Sequence, residues 1–185
     1  MLAEALLIIA AVVALVLAWA AVQPRVATVS RSTLVRAAPA HVFALIYAPR
    51  SWQRWLPWTP DDPLVIITYA GPEQGPNAAL SWKGNRRVGA GTITVVDGEP
   101  NDFIRIRIDF ARPHPSTSFA DFLFQANDEG TLVIWAMTSE RSIALRLYAF
   151  LFKTDATVAG IFERGLARLR DAANQDAAAP IEKAK

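Results

Sequence analysis

From Ile104 to Phe110 the chain reads IRIRIDF, an unbroken alternation of apolar and charged side chains. Period two belongs to a strand whose two faces meet different surroundings. Ile104, Ile106, Ile108 and Phe110 share one face; Arg105, Arg107 and Asp109 share the other. Such a strand fits an antiparallel sheet with one face packed and one wet. The sequence supplies neighbours for it. VATVSRSTLVR (26–36), PLVIITYA (63–70), AALSWKG (78–84), VGAGTITVVDGEP (88–100), STSFADFLFQAN (116–127) and TLVIWAMT (131–138) are all strand-like. The turn clusters GPEQGPN, Gly84-Asn85 and NDEG separate several of them.

Two interruptions break the series of strands. Pro39 opens PAHVFALIYA, a helix with proline in its first turn. Pro49 restarts the chain into a second short helix carrying Trp52 and Trp55, and Pro57 ends it. The period then changes. Leu147, Phe150, Leu151, Val158, Ile161, Phe162, Leu166 and Leu169 recur at steps of three and four across Ser142–Asp171. That predicts one helix of about thirty residues, near 45 Å long. The order is strand, two short helices, six strands, one long helix. A meander of strands with one apolar face must be covered, and the terminal helix is the element long enough. The predicted fold is α+β: a curved antiparallel sheet of about seven strands around a long C-terminal helix, with the two short helices closing one end of the gap.

The two ends lie outside this domain. ALLIIAAVVALVLAWAAV, Ala5 to Val22, carries no charge and is long enough for a transmembrane helix. A cleaved signal peptide competes, since Ala18-Trp19-Ala20 offers a small-x-small site. No Lys or Arg precedes the apolar run, however, which favours an uncleaved anchor. Arg25, Arg31 and Arg36 follow it, placing the domain in the cytoplasm by the positive-inside tendency. Export with the helix as anchor or signal is the alternative. The expected division is an anchor and short linker over residues 1–25, a domain over 26–172 and a disordered tail over 173–185.

Most routes to chemistry are closed or weak. There is no cysteine, so disulfides, thiolate metal sites and thiol nucleophiles are excluded. His41 and His114 are far apart and lack paired ligand spacing, so no metal is expected. No G-x-S-x-G elbow occurs. Asp97, Glu99 and Asp102 fall in a turn, where Asp is ordinary. Asp109 and Asp121 lie opposite the apolar face, where Arg105 or Arg107 can pair with them. Gly89 and Gly91 do not open a helix, so they mark a bend rather than a phosphate loop. Gly160 and Gly165 are expected to let the long helix approach the sheet. A net charge of +2, spread along the chain, gives no nucleic-acid footprint.

Four phrases in this order carry a resemblance: APAHVFALIYAPRSWQRWLPW, ALSWKGNRRVGAGTITV, GTLVIWAMTSE and FERGLARLR. Over about residues 26–172 the chain resembles the START-like (SRPBCC) superfamily, in its polyketide cyclase/dehydrase and lipid-transport branch. The resemblance implies a helix-grip fold and an apolar cavity between sheet and helix. It implies no cofactor. Strand alternation then nominates Ile106, Ile108, Phe110, Phe122, Phe124, Trp135 and Met137 as cavity residues, with Phe150, Val158 and Phe162 facing them from the helix. Trp58 is expected at the rim. Tyr69, Trp82 and Trp135 would carry the polar groups that an enzyme needs. Three functions remain open at this stage: binding of a lipid or other hydrophobic small molecule by a membrane-anchored domain, a cyclase/dehydrase-type reaction on a polyketide-like substrate, or a scaffold with a filled core. The oligomeric state is not legible.

Overall fold

A computed structural model describes residues 2–57, 62–112, 115–152 and 154–178; Trp58 and His114 lie outside them. The elements are α1 (Leu2–Val22), β1 (Val26–Val35), α2 (Pro39–Tyr47), a 3₁₀ helix (Pro49–Arg54), β2 (Ile66–Ala70), β3 (Ala79–Lys83), β4 (Ala90–Glu99), β5 (Phe103–Arg112), β6 (Ser116–Asn127), β7 (Gly130–Glu140), α3 (Ile143–Phe152) and α4 (Thr154–Ala178). The expected terminal helix is thus described in two lengths, one on either side of Lys153.

The seven strands form one antiparallel sheet in the order β1-β7-β6-β5-β4-β3-β2. Strands β2 to β7 are a meander, and β1 pairs with β7 along its whole length, from Val26 opposite Glu140 to Val35 opposite Thr131. The alternation of β5 resolves as expected. Ile104, Ile106 and Ile108 are buried. On the other face Arg105 meets Asp121 across the ladder at 2.7 Å, and Arg107 meets Asp109 at 2.8 Å. Two register shifts interrupt β4, at Ala90/Gly91 and Val95/Asp97. Such irregularities bend a strand and increase its twist. Gly91 sits where a Cβ would strike both the Trp82 ring and the Asp109 carbonyl, so close backbone approach requires the glycine here.

Helix α4 crosses the concave face and buries Ala159, Phe162, Leu166, Leu169, Ala172 and Ala173. Each large apolar side chain so buried stabilises the fold by roughly 1.5–3 kcal/mol. The helix continues to Ala178, through residues placed in a disordered tail on composition. Alanine is the best helix former, and Ala172 and Ala173 fit flat against the core where larger residues would not. Beyond them, Asp176 holds Arg54 of the 3₁₀ helix at 2.6 Å and lies 3.4 Å from His41 of α2.

Helix α1 is different in kind. Its apolar side chains are exposed along nearly its whole length; Leu7 is 70% and Leu15 70% exposed. Its C-terminal end meets the domain. Arg146 of α3, itself buried, donates from Nη1 to the carbonyls of Ala20 (2.8 Å), Ala21 (3.1 Å) and Gln23 (2.8 Å). A helix leaves its last carbonyls without intrahelical partners, and one guanidinium serves three of them. Trp19 packs on Phe150 with ring centroids 4.6 Å apart.

Candidate functional site: a cavity under the long helix

The alternation of β5, β6 and β7 delivers a row of large side chains to the concave face. The short segment after α2 then determines how far α4 can close on them. Trp52 lies in the 3₁₀ helix and Trp55, three residues on, caps its C-terminal end, its backbone N–H donating to the Trp52 carbonyl at 3.1 Å. Both are almost fully buried. Both indoles also do polar work. Trp52 Nε1 donates to the Ile46 carbonyl at 2.7 Å and Trp55 Nε1 to the Leu45 carbonyl at 3.1 Å. They satisfy the free carbonyls at the C-terminal end of α2 and weld the two short elements into one wedge. Arg168 of α4 donates to the Leu56 carbonyl at 2.6 Å, and Arg54 grips Asp176 and the Ala172 carbonyl. These bonds pin the C-terminal end of the wedge to α4.

Between wedge, sheet and the first turns of α4 lies a cavity of about 580 Å³. One wall is an aromatic column. Trp135 stacks on Phe162 at 4.2 Å and on Phe122 at 4.9 Å, and the Trp55 ring meets Trp135 edge-on at 5.9 Å. Gly165 makes that column possible, because a Cβ there would lie 2.7 Å from the Trp135 ring. Gly160 does not have the expected role: a Cβ added there would meet the Arg164 guanidinium at 3.8 Å and no sheet atom within 4 Å, and the residue borders the cavity. A second aromatic pair, Trp82 and Phe110 at 5.8 Å, also lines the cavity. Ile46, Leu56, Ile93, Ile106, Ile108, Met137, Val158 and Ile161 complete an apolar lining.

The structure therefore places Trp82, Ile106, Ile108, Phe110, Phe122, Trp135, Met137, Val158 and Phe162 on the wall. It places three other nominated residues elsewhere. Phe124 is buried, but it packs on Phe43 of α2 at 5.6 Å, beyond the end of the cavity. Tyr69 sits on the edge strand β2, outside the wedge; its hydroxyl accepts from Gln53 Nε2 at 2.5 Å and its ring lies 5.1 Å below Arg50. Phe150 is 61% exposed and serves the α1 contact. Helix α3, IALRLYAFLF, is apolar on nearly every side, so helical spacing could not show that Phe150 turns away from the cavity.

Sequence reasoning also missed a polar component of the lining. Arg87 in the β3–β4 turn, Arg112 at the end of β5 and Arg164 on α4 all border the cavity. These three, with Ala156 and Thr157, are its exposed lining residues and so define its mouth. No carboxylate or histidine borders it among the described residues. Inside, Trp82 Nε1 donates to the Val88 carbonyl at 3.2 Å, whereas Trp135 Nε1 is buried without a partner among the described residues.

Known proteins with this arrangement share the fold and little sequence. A protein of unknown function from Staphylococcus aureus superposes with a TM-score of 0.63 at 10% identity, covering 82% of this chain and 96% of that one. An uncharacterized protein from Rhizobium leguminosarum gives 0.59 at 17% identity, covering 81% and 95%. DynU16, a protein of the dynemicin biosynthetic locus, gives 0.54 at 14% identity, covering 80% of this chain and 48% of that one. No curated protein matches in sequence. The family model described as polyketide cyclase/dehydrase and lipid transport matches residues 26–174, from the first strand into the last turns of α4. With its seven-stranded sheet closed on a long terminal helix, the chain belongs to the polyketide cyclase/dehydrase and lipid transport family, within the START-like superfamily.

Proposed function

We propose that the protein is a membrane-anchored domain that takes a hydrophobic small molecule or lipid into the cavity under α4. The observation that carries this reading is the cavity itself: about 580 Å³, lined by aromatic and aliphatic side chains, within the range of about 300–1,000 Å³ usual for small-molecule sites. Anchoring is supported by α1, which has 21 residues and spans about 32 Å at 1.5 Å per residue, against a hydrocarbon core near 30 Å. Arg146 fixes the end of α1 to α3, and α4, whose first turns form the cavity mouth, follows α3 directly. On this reading the mouth lies close to the bilayer, and ligand enters from lipid without crossing water.

The lining favours binding over catalysis. A cyclase/dehydrase reaction needs an acid–base group held against the substrate, and the described wall offers only indole N–H groups, one threonine and arginines at the mouth. A scaffold would need a filled core. The test is native mass spectrometry and solvent extraction of the full chain purified from cells, beside a Val158→Trp variant that obstructs the cavity. One apolar molecule bound to the parent protein and depleted in the variant is the expected result. Equal recovery from both, or none from either, sinks the reading.

A further inference from the structure

Three cationic side chains gather at the mouth of an otherwise apolar cavity. Arg87, Arg112 and Arg164 come from three separate elements, and no hydrogen bond or ion pair engages their guanidinium groups among the described residues. Several arginines elsewhere on the domain are paired with an acid. Arg31 pairs with Glu163, Arg54 with Asp176, Arg105 with Asp121 and Arg141 with Asp155. The carboxylates nearest in sequence to Arg164 and to the first turn of α4 are thus already engaged, Glu163 by Arg31 and Asp155 by Arg141. Among the described residues the mouth is left with three positive charges and no compensating acid on the lining.

Like charges repel, and three guanidinium groups bordering one opening stabilise neither each other nor the fold. They do suit a ligand that brings a negative charge to that position. Guanidinium is the planar, fork-shaped donor that matches carboxylate and phosphate geometry. An apolar interior with a cationic rim is complementary to an amphiphile: tail inside, anionic head at the water-facing edge. Size limits the tail. A volume of 580 Å³, at about 30 Å³ for a water-sized group, holds roughly twenty such groups. That is the scale of one acyl chain and not of two.

Building on the apolar-cavity reading above, we infer that the ligand is a single-chain amphiphile with an anionic head, carboxylate or phosphate, held by Arg87, Arg112 and Arg164. The test uses the full chain in phosphatidylcholine nanodiscs and follows tryptophan fluorescence. Three probes of matched chain length are titrated: palmitate, hexadecyl phosphate and neutral hexadecanol. At least one charged probe is expected to bind about tenfold or more tighter than hexadecanol, the gain expected of partly exposed charge-assisted bonds. The stronger of the two charged probes identifies the head. The triple variant Arg87→Gln/Arg112→Gln/Arg164→Gln should bind hexadecanol as the parent does and lose the preference. Arg86→Gln, an exposed neighbour off the lining, should keep it. Equal affinity for charged and neutral probes overturns the inference while leaving the cavity reading intact. So does a preference that survives the triple variant or disappears with Arg86→Gln. Binding of none of the three overturns both.

Discussion

The Arg146 Nη1 group donates a 2.8 Å hydrogen bond to the Ala20 carbonyl, joining residues 126 positions apart. With its bonds to Ala21 and Gln23 it makes the end of the apolar helix part of the folded domain. Arg146→Met keeps most of the side-chain stem and removes every donor. The buried Ala20 carbonyl then loses its partner, at roughly 1–3 kcal/mol for a buried polar group left unsatisfied. Hydrogen exchange of the backbone at residues 21–26 should accelerate markedly, with the sheet amides little changed. Unchanged exchange in that segment would refute the clamp.

The two glycines of α4 should respond in opposite directions. At Gly165 an added methyl meets the Trp135 ring at 2.7 Å, inside a stack that cannot widen without displacing Phe122 or Phe162. Gly165→Ala should therefore destabilise by about 1–3 kcal/mol, the usual cost of overpacking. At Gly160 an added methyl would make only an ordinary contact, with Arg164 at 3.8 Å, and there alanine should stabilise by up to about 1 kcal/mol through helix propensity. Urea denaturation of both variants gives the comparison. Equal shifts of the same sign would mean that the aromatic column is not as tightly packed as described.

These contrasts show which parts of the molecule a sequence can reveal. Ile104, Ile106 and Ile108 were legible because a strand with one wet face writes its burial into alternate positions, and the sheet followed from them. The walls supplied by β5, β6 and β7 came with it. Tyr69 and Phe124 alternate just as correctly yet miss the cavity, because period two gives the face of a sheet and not the position along it. Arg87, Arg112 and Arg164 are far apart in the chain and individually ordinary for a turn, a strand end and a helix; only the fold makes them neighbours. Ala173 reads as tail because alanine shows no apolar stripe, although small residues are what a close helix contact requires.

The bond between Arg54 and Asp176 gives the wedge a pH dependence. The Arg54 guanidinium, chiefly through its hydrogen bonds, holds the Asp176 carboxyl below its ordinary value of 3.8, and His41 adds a smaller push in the same direction. A depressed carboxylate contributes stability that is fully present above the unfolded-state value and lost as pH falls through the folded-state value. The stability difference between parent and Asp176→Asn should therefore be present at about pH 5 and shrink below about pH 4. Urea midpoints across that range measure it. A difference that persists undiminished at pH 2.5 would show that the carboxylate charge is not what holds the wedge.

On the anchored reading proposed above, the side of the membrane on which the domain lies is tied to the same junction. Arg146 seals the end of α1 to α3, so the domain must lie on the side where α1 ends. Arg25 stands three residues past that end and is exposed; Arg36 is a second exposed cation close by in sequence, while Arg31 is partly neutralised by Glu163. Cations retained beside the end of a span favour the cytoplasmic face, where anionic lipid also attracts them. An alkaline phosphatase fused after Lys185 should therefore be inactive, and a green fluorescent protein fused at the same point should fluoresce. Replacing Arg25 and Arg36 with Glu should weaken that bias and raise phosphatase activity. An active phosphatase on the unaltered chain would place the cavity mouth on the opposite leaflet and reverse the side from which a lipid is drawn.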